Sequence, residues 1–218
     1  MQSKPRFDTI AGAYILLFCM PDLSDQKTSL ESHRAVGQGE SIPEGFSSRE
    51  KRSLTIDRGL TSDIPAIRQI IGDAWLELYE SHFSLGGVVN DIKTYLSDES
   101  LQGMLDNPLG VLLVARDPGT LAPCGVLYGY GAEDQGTAEL LYLYLSPSAR
   151  GLGAGNALLQ VFEQHVADHK ELQLEVFASN GGAEGFYERS GFVRTGECQG
   201  VIGDATGTWH IMVKSLQQ

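Results

Sequence analysis

The feature that most constrains this chain is a strong strand that leads into a glycine-rich bend and then into an amphipathic helix. Residues 138–145 read Ala-Glu-Leu-Leu-Tyr-Leu-Tyr-Leu, a run whose near-continuous apolarity is typical of a strand buried on both faces. Three glycines follow at alternate positions, Gly151, Gly153 and Gly155. Apolar residues then recur at helical spacing over residues 152–169, which predicts a helix with one buried face.

The bend has the composition of an anion site. Glycine adopts positive φ and lets a ligand approach the backbone closely. The first amides of a helix lack intrahelical partners and lie at the positive end of the helix dipole, so they suit a phosphate or pyrophosphate. Arg150, directly before the first glycine, adds a cation with planar donors. The same glycines are also compatible with a plain tight turn.

Two common phosphate loops do not fit the bend. A P-loop requires a lysine after its glycines, and none follows here. The dinucleotide motif Gly-x-Gly-x-x-Gly fails because Asn156 or Leu158 stands at its third position, although Glu175 lies about 20 residues downstream, as that motif favours. A nucleotide-binding α/β protein therefore stays open as a weaker alternative.

The elements around the bend predict a mixed α/β fold with one mostly antiparallel central sheet flanked by helices. The expected order is β-α-α-β-β-β-α-β-α-β-β, from turn signals and periodicity. Besides the strand and helix above, strands are expected near residues 54–60, 111–116, 124–130, 172–177, 192–199 and 208–213. Helices are expected near residues 64–78 and 182–189, and a less regular one near residues 88–105, broken near Ser97.

Residues 1–52 differ from the rest of the chain. They hold seven acids and seven bases, and beyond an apolar run from Ile10 to Met20 they are polar and without periodicity. That run resembles the hydrophobic region of a signal peptide but lacks a clear small-residue cleavage site. We expect a disordered or weakly structured segment, with Met20 an alternative start, followed by one domain at residues 53–218.

The charge and cysteine content exclude several classes of function. Residues 53–218 carry 21 acids and nine bases, which accounts for the whole net charge of −12. Such a domain repels nucleic acid and suits either a cationic substrate or simple solubility. No apolar stretch is long enough to span a membrane. Three scattered cysteines, Cys19, Cys124 and Cys198, predict no metal site or disulfide and a cytoplasmic location, with Cys124 and Cys198 as small buried apolar residues.

Two linked motifs resemble those of the GNAT acetyltransferase superfamily. Arg150-Gly-Leu-Gly-Ala-Gly155 is similar to its Arg/Gln-x-x-Gly-x-Gly/Ala motif, and the preceding Leu145-Ser-Pro147 to its usual Val-x-Pro. Farther on, Asn180 followed by Phe186-Tyr187 and Gly191-Phe192 resembles its second signature. The resemblance covers roughly residues 53–214 and, before residue 110, extends only to the order of elements.

The resemblance implies acetyl-coenzyme A as the co-substrate, bound where two neighbouring strands splay apart. The strand backbone at Leu143 and Leu145 would pair with the pantetheine arm, and the Leu145 amide would polarise the thioester carbonyl. Asn180 would contact the pantetheine or another part of the cofactor. The pyrophosphate loop maps, mostly through backbone amides, onto Arg150, Gly151, Leu152, Gly153, Ala154 and Gly155.

The resemblance also implies the reacting groups. Tyr187 matches the tyrosine that protonates the departing thiolate. Glu139 is the candidate base, acting through water, because it is the only charged residue of its strand and stands where many members carry a glutamate. On a strand it shares a face with Leu141, Leu143 and Leu145. Trp75, Tyr79 and Phe83 are guesses for contacts with the acceptor.

These residues predict transfer of an acetyl group to a primary amine of a small molecule or a protein. The amine attacks directly, so no protein nucleophile is required. A catalytically idle acyl-coenzyme A sensor is the alternative from another class. Many members of the superfamily form homodimers through their C-terminal strands, so a homodimer is compatible with the resemblance. The acceptor, the acyl chain length and the oligomeric state are not encoded in these motifs.

Overall fold

The computed structural model describes residues 54–217, so the expected N-terminal segment at residues 1–52 lies outside the described residues. The described part alternates strands and helices in the expected order, with one added helix. Its strands are β1 Thr55–Arg58, β2 Gly110–Arg116, β3 Pro123–Tyr130, β4 Thr137–Leu145, β5 Glu171–Phe177, β6 Val193–Ile202 and β7 Ala205–Ser215. Its helices are α1 Ile64–Tyr79, α2 Leu85–Tyr95, α3 Asp98–Asp106, α4 Ala154–His165 and α5 Gly181–Arg189.

The added helix comes from a stretch that the sequence predicts as one irregular helix, residues 88–105. Two serines cap the starts of the two helices that form there, and Ser97 divides the predicted stretch. The Ser84 hydroxyl accepts a hydrogen bond from the Gly87 amide and begins α2, and the Ser97 hydroxyl accepts one from the Ser100 amide and begins α3. Serine at these positions satisfies amides that a helix start leaves unpaired, so the predicted break near Ser97 is a boundary between two helices.

The strands form one seven-stranded sheet in the order β1-β2-β3-β4-β5-β7-β6. Every neighbouring pair is antiparallel except β4 and β5, which run parallel. The strongest strand of the sequence, β4, lies at the centre. The expected fold class, a mostly antiparallel sheet flanked by helices, is confirmed.

Two hydrophobic cores lie on opposite faces of this sheet. Helices α1, α2 and α3 cover one face, where Ile67, Ile71 and Trp75 of α1 are buried. Helices α4 and α5 cover the other face, where Phe162 of α4 and Phe186 of α5 are buried. Because β4 lies between both cores, its side chains are buried on either side, as its continuous apolar sequence requires.

The ladder between β4 and β5 is short. It pairs Thr137 with Glu171 and ends where Leu140 pairs with Leu174. Beyond that point both strands continue, β4 to Leu145 and β5 to Phe177, without pairing. The two strands therefore open a slot toward their carboxyl ends, which is the splay expected from the resemblance.

A β-bulge in β4 changes which side chains share a face. Tyr142 pairs with Tyr128, but the next pair joins Leu140 to Gly129, so Leu141 is the extra residue. Gly129 lies on β3 opposite the bulge, where there is no space for a side chain. A Cβ there would lie 2.6 Å from the carbonyl oxygen of Glu139 and would also overlap the ring of Phe162.

We predict that Gly129→Ala destabilises the domain, because neither the β4 backbone nor the buried Phe162 ring can move away cheaply. The expected loss in the free energy of unfolding is about 1–3 kcal/mol. Gly103→Ala is the matched control, since Gly103 is exposed within α3 with open space around it; it should stabilise by about 0.5–1 kcal/mol. Urea denaturation measures both, and equal stability of the two variants would contradict the packing described.

Candidate functional site: a slot between two strands

The slot is lined on one side by unpaired backbone of β4. The amide of Ser146 donates to the carbonyl of Cys124 on β3, at 2.8 Å. In an antiparallel pair, hydrogen-bonded positions alternate, so Tyr144 also directs its backbone groups to β3. Leu143 and Leu145 then direct theirs to the other side, into the slot. These are the two positions expected to pair with a pantetheine arm.

The glycine bend closes the carboxyl end of the slot. Gly151 and Gly153 have φ values of +74° and +83°, a left-handed conformation that side chains rarely adopt. Gly153 forms the start of α4 without any side-chain cap, and the first intrahelical bond runs from Ala157 to Gly153. The amides of the first turn therefore have no intrahelical acceptor, and open space surrounds both left-handed glycines.

Arg150 is held by a residue that the sequence did not single out. Its guanidinium donates to both carboxylate oxygens of Glu77 on α1, at 2.9 and 2.6 Å. The hydrogen bond from Arg150 lowers the pKa of the Glu77 carboxyl below its usual range. The bend is thereby anchored to α1. In this structure the Arg150 side chain binds the protein itself, whereas the sequence analysis predicted that it would bind an anion.

Asn180 has one satisfied and one unsatisfied end. Its Oδ1 accepts a hydrogen bond from the Ala183 amide at 3.1 Å and so begins α5. Its Nδ2 is buried and has no hydrogen-bond partner among residues 54–217. A buried amide donor without a partner is costly, so this atom fits a ligand carbonyl better than it fits the protein alone.

Tyr187 lies fully buried on α5, in the core beneath α4. Its ring contacts those of Phe186 and Phe192 edge to face, with centroids 5.0 and 5.5 Å apart. Phe186 in turn lies next to Gly155 at the start of α4. The second signature is thus packed against the glycine bend. The role of Tyr187 as an acid stays a prediction.

The prediction that Glu139 shares a face of β4 with Leu143 and Leu145 is wrong. Leu143 and Leu145 belong to the core on the α4 face, whereas Tyr142 belongs to the core on the α1 face. Glu139 lies on the α1 face, because its Oε2 accepts a hydrogen bond of 2.7 Å from Tyr130, which packs there. The bulge at Leu141 is the physical reason, since one extra residue reverses the alternation that a regular strand would keep.

The sequence missed a second carboxyl on this face. Glu175 of β5 is partly buried and hydrogen-bonded to the thiol of Cys198 on β6, and burial raises its pKa. Cys198 is therefore not the buried apolar residue expected, whereas Cys124 is buried as predicted. The alternation of polar and apolar residues in β5 was the available signal, because a charged side chain is costly in the interior of a sheet unless it has a partner.

The three guesses for acceptor contacts are buried on the α1 face. The Trp75 indole donates to the Tyr144 hydroxyl at 2.8 Å. Tyr79 and Phe83 pack against Phe177, the last residue of β5, with ring centroids 5.6 and 5.7 Å away. These residues form a wall behind the slot, and their contact with an acceptor stays a prediction.

A cavity of about 370 Å³ lies beside the slot rather than in it. Its walls are α1, the turn between β2 and β3, and residues 145–150. It therefore borders β4 on the β3 side, whereas the slot opens on the β5 side. Over residues 54–217, no group of three or more His, Cys, Asp or Glu side chains could hold a metal, and no helix is long and apolar enough to cross a bilayer.

The slot, the bend and the order of elements agree with one known family. The sequence model of the acetyltransferase (GNAT) family matches residues 72–192, more than half of the chain. The chain belongs to the acetyltransferase (GNAT) family. The resemblance carried by the two motifs is therefore confirmed, and with it the expected enzyme class, an acyltransferase.

Solved structures of GNAT proteins share the fold at low sequence identity. The chain is similar to PaiA N-acetyltransferase from Thermoplasma acidophilum in complex with coenzyme A, with 24% identity, a TM-score of 0.64, and coverage of 75% of this chain and 99% of that one. It is also similar to the ribosomal-protein-S18-alanine N-acetyltransferase from Escherichia coli, with 20% identity, a TM-score of 0.55, and coverage of 76% and 95%.

A third similar structure contains acetyl-coenzyme A. It is a phosphinothricin acetyltransferase from Sinorhizobium meliloti, with 19% identity, a TM-score of 0.53, and coverage of 75% of this chain and 88% of that one. The bound ligands of this structure and of the T. acidophilum protein agree with acetyl-coenzyme A as the expected co-substrate. At these identities the similarity establishes the fold alone.

We predict that Asn180→Ala destabilises the GNAT domain by about 0.5–2 kcal/mol, because α5 loses its cap. Asn180→Ser keeps an oxygen at the cap and should stay within about 0.5 kcal/mol of the unsubstituted protein. Thermal and urea denaturation measure the difference. If both variants unfold alike, the Oδ1 contact with Ala183 does not stabilise the helix start.

Proposed function

We propose that this GNAT protein transfers an acetyl group from acetyl-coenzyme A to a primary amine by direct attack. The observation that carries the proposal is the unpaired backbone of β4, which ends directly at a bend of bare amides. An extended arm that ends in a diphosphate matches this arrangement, because the arm extends the sheet as a strand would and the diphosphate takes the amides.

Different residues of the slot bind different parts of acetyl-coenzyme A. Leu143 and Leu145 offer backbone groups to the pantetheine arm, and the buried Asn180 Nδ2 offers a donor to one of its carbonyls. Gly151, Gly153 and the first amides of α4 receive the diphosphate. The Glu77 carboxylate keeps the Arg150 backbone in place beside them. No pair with β5 forms at Leu143 or Leu145, and the Asn180 Nδ2 has no hydrogen-bond partner within residues 54–217.

The chemistry requires three tasks of the protein. The acceptor must lose a proton before it attacks, the thioester oxygen must be stabilised as it gains charge, and the departing thiolate must be protonated. Glu139 takes the first task through water, the Leu145 amide the second, and Tyr187 the third. The Tyr187 hydroxyl carries the proton that this third task requires.

A cationic acceptor suits this domain best. Residues 53–218 hold 21 acids against nine bases, and the Glu139 carboxylate forms no ion pair within residues 54–217. An amine that arrives as an ammonium ion is attracted to such a surface. The acceptor is therefore an amine with positive charge near the reacting nitrogen, on a small molecule or a protein.

The direct test is thiol release from acetyl-coenzyme A with a panel of primary amines, together with calorimetric titration of coenzyme A, NAD and ATP. We expect thiol release with at least one amine, and heat with coenzyme A alone. If coenzyme A binds but no amine of the panel is acetylated, the proposed acetyl transfer is contradicted and a role as an acyl-coenzyme A sensor is favoured. Binding of NAD or ATP instead would overturn the assignment of the slot.

Tyr187→Phe tests the proposed acid. Turnover should fall at least about tenfold, since a positioned acid contributes at least that much, while calorimetry shows coenzyme A binding as before. Tyr128→Phe is the matched control, because the Tyr128 hydroxyl contacts Asn107 away from the slot. Equal turnover of Tyr187→Phe and the unsubstituted enzyme would remove Tyr187 from the mechanism.

A further inference from the structure

The cavity beside the slot has no part in the acetyl transfer proposed above. Its volume of about 370 Å³ falls in the range of about 300–1,000 Å³ that small-molecule sites in proteins occupy. One wall is a face of α1 whose lining residues recur at helical spacing, Ala66, Ile70, Asp73 and Glu77. Another wall is the turn between β2 and β3, within residues 117–123. A small ligand therefore has room between the helix and the turn without entering the slot.

The inner part of the cavity is largely apolar. The buried residues that line it are Ile70 and Ala74 of α1, Cys124 of β3 and Leu145 of β4. The Cys124 side chain is only 7% exposed and has no hydrogen-bond partner among residues 54–217. Burial raises the pKa of its thiol, so the thiol stays neutral and offers its sulfur as a weak acceptor. These walls suit the hydrocarbon part of a ligand.

Two carboxylates at the cavity have no cationic partner among residues 54–217. Asp117 accepts three hydrogen bonds on Oδ1, from the amides of Gly119 and Thr120 and from the Thr120 hydroxyl. The hydrogen bonds from Thr120 and Gly119 lower the pKa of the Asp117 carboxyl, so it stays ionised at neutral pH. Asp73 is exposed and forms no ion pair with a side chain of residues 54–217. Both charges are therefore available to a ligand.

The charge of the lining excludes an anion. Arg150 is the one cationic side chain that residues 54–217 contribute to the cavity, and its guanidinium donates to both carboxylate oxygens of Glu77. Three acids, Asp73, Glu77 and Asp117, stand against this one base, so the lining has a net charge of −2. Such a lining repels an anion and attracts a cation.

The combination of apolar and acidic walls selects among cations. Over residues 54–217, no group of three or more His, Cys, Asp or Glu side chains could hold a metal ion, and a metal ion would leave the apolar walls without a contact. An organic ammonium ion matches both parts of the cavity. Its carbon chain packs against apolar side chains while its charged head stays at the carboxylates.

We propose that this cavity is a binding site for a small organic ammonium ion, separate from the slot. The ammonium group pairs with Asp117 and Asp73, and the carbon chain lies against Ile70, Ala74 and Leu145. No bond is made or broken there, so the site does not depend on the acetyl transfer proposed above. Because residues 145–150 line the cavity and lead into the glycine bend, the bound ion contacts the bend's supporting segment without competing for its amides.

The direct test is a titration of the full chain, labelled with nitrogen-15, with butylammonium chloride at constant ionic strength. Two-dimensional NMR spectra should show saturable shifts of the amides at Asp73, at residues 117–124 and at residues 145–150. 1-Butanol has the same carbon chain without the charge. It should bind the cavity at least about tenfold more weakly, because its hydroxyl gains no attraction from the two carboxylates.

Asp117→Asn removes one charge and keeps the Oδ1 that the turn amides require, so the fold is preserved. It should weaken butylammonium binding at least about fivefold. Asp134→Asn is the matched control, because the Asp134 Oδ1 likewise accepts a hydrogen bond from an amide two residues on, that of Gly136, in a turn outside the cavity. This control should bind butylammonium within about twofold of the unsubstituted protein.

Ala122→Phe tests the cavity independently of its charge. Ala122 is exposed and lines the cavity, so a phenyl ring there takes up space that the ligand requires. Binding should fall at least about tenfold, with the midpoint of thermal unfolding within about 2 °C of the unsubstituted protein.

Weaker binding in Asp117→Asn and Ala122→Phe, with unchanged binding in Asp134→Asn, supports the proposal. Equal binding by Asp117→Asn, or equal binding of 1-butanol, overturns it. Butylammonium shifts confined to Leu143, Tyr79 and Phe177 also overturn it, although they leave acetyl transfer in the slot standing. A protein that acetylates no amine but shows the cavity shifts loses the proposed function and keeps this site.

Discussion

The early end of the ladder between β4 and β5 is the constraint on which the site depends. Backbone amides and carbonyls inside a protein normally find partners, yet β4 continues to Leu145 after its last pair with β5 at Leu140. The left-handed glycines and the Glu77–Arg150 contact then fix the bend at the end of this free edge. A slot with a polar edge and a bend of bare amides is what this geometry leaves for a ligand.

The bulge at Leu141 places the candidate reacting groups on the two opposite faces of β4. It places Leu143 and Leu145 on the α4 face, near α5 and its Tyr187, and it leaves Glu139 on the α1 face beside Tyr130. In the proposed mechanism, the leaving group of the donor and the proton of the acceptor are therefore handled on different sides of this strand.

Much of this arrangement could be predicted from the sequence, and there is a physical reason why the remaining features could not. Continuous apolarity marked β4 as central, and the two glycine-bearing motifs marked the bend and α5. The bulge left no trace in the periodicity, so the face of Glu139 was wrong. The Glu77–Arg150 pair joins residues 73 positions apart, and the contact of Glu175 with Cys198 depends on the sheet order. Local patterns cannot specify contacts between elements that only the tertiary fold brings together.

Amide hydrogen exchange at the free edge of β4 tests the central claim most directly. With saturating coenzyme A, exchange at Leu143 and Leu145 should slow at least about tenfold as their backbone groups gain partners. Exchange at Tyr144, which already bonds to β3, should change far less. Unaltered exchange at Leu143 and Leu145 under saturation would mean that the ligand lies elsewhere, and the slot would lose its assigned role.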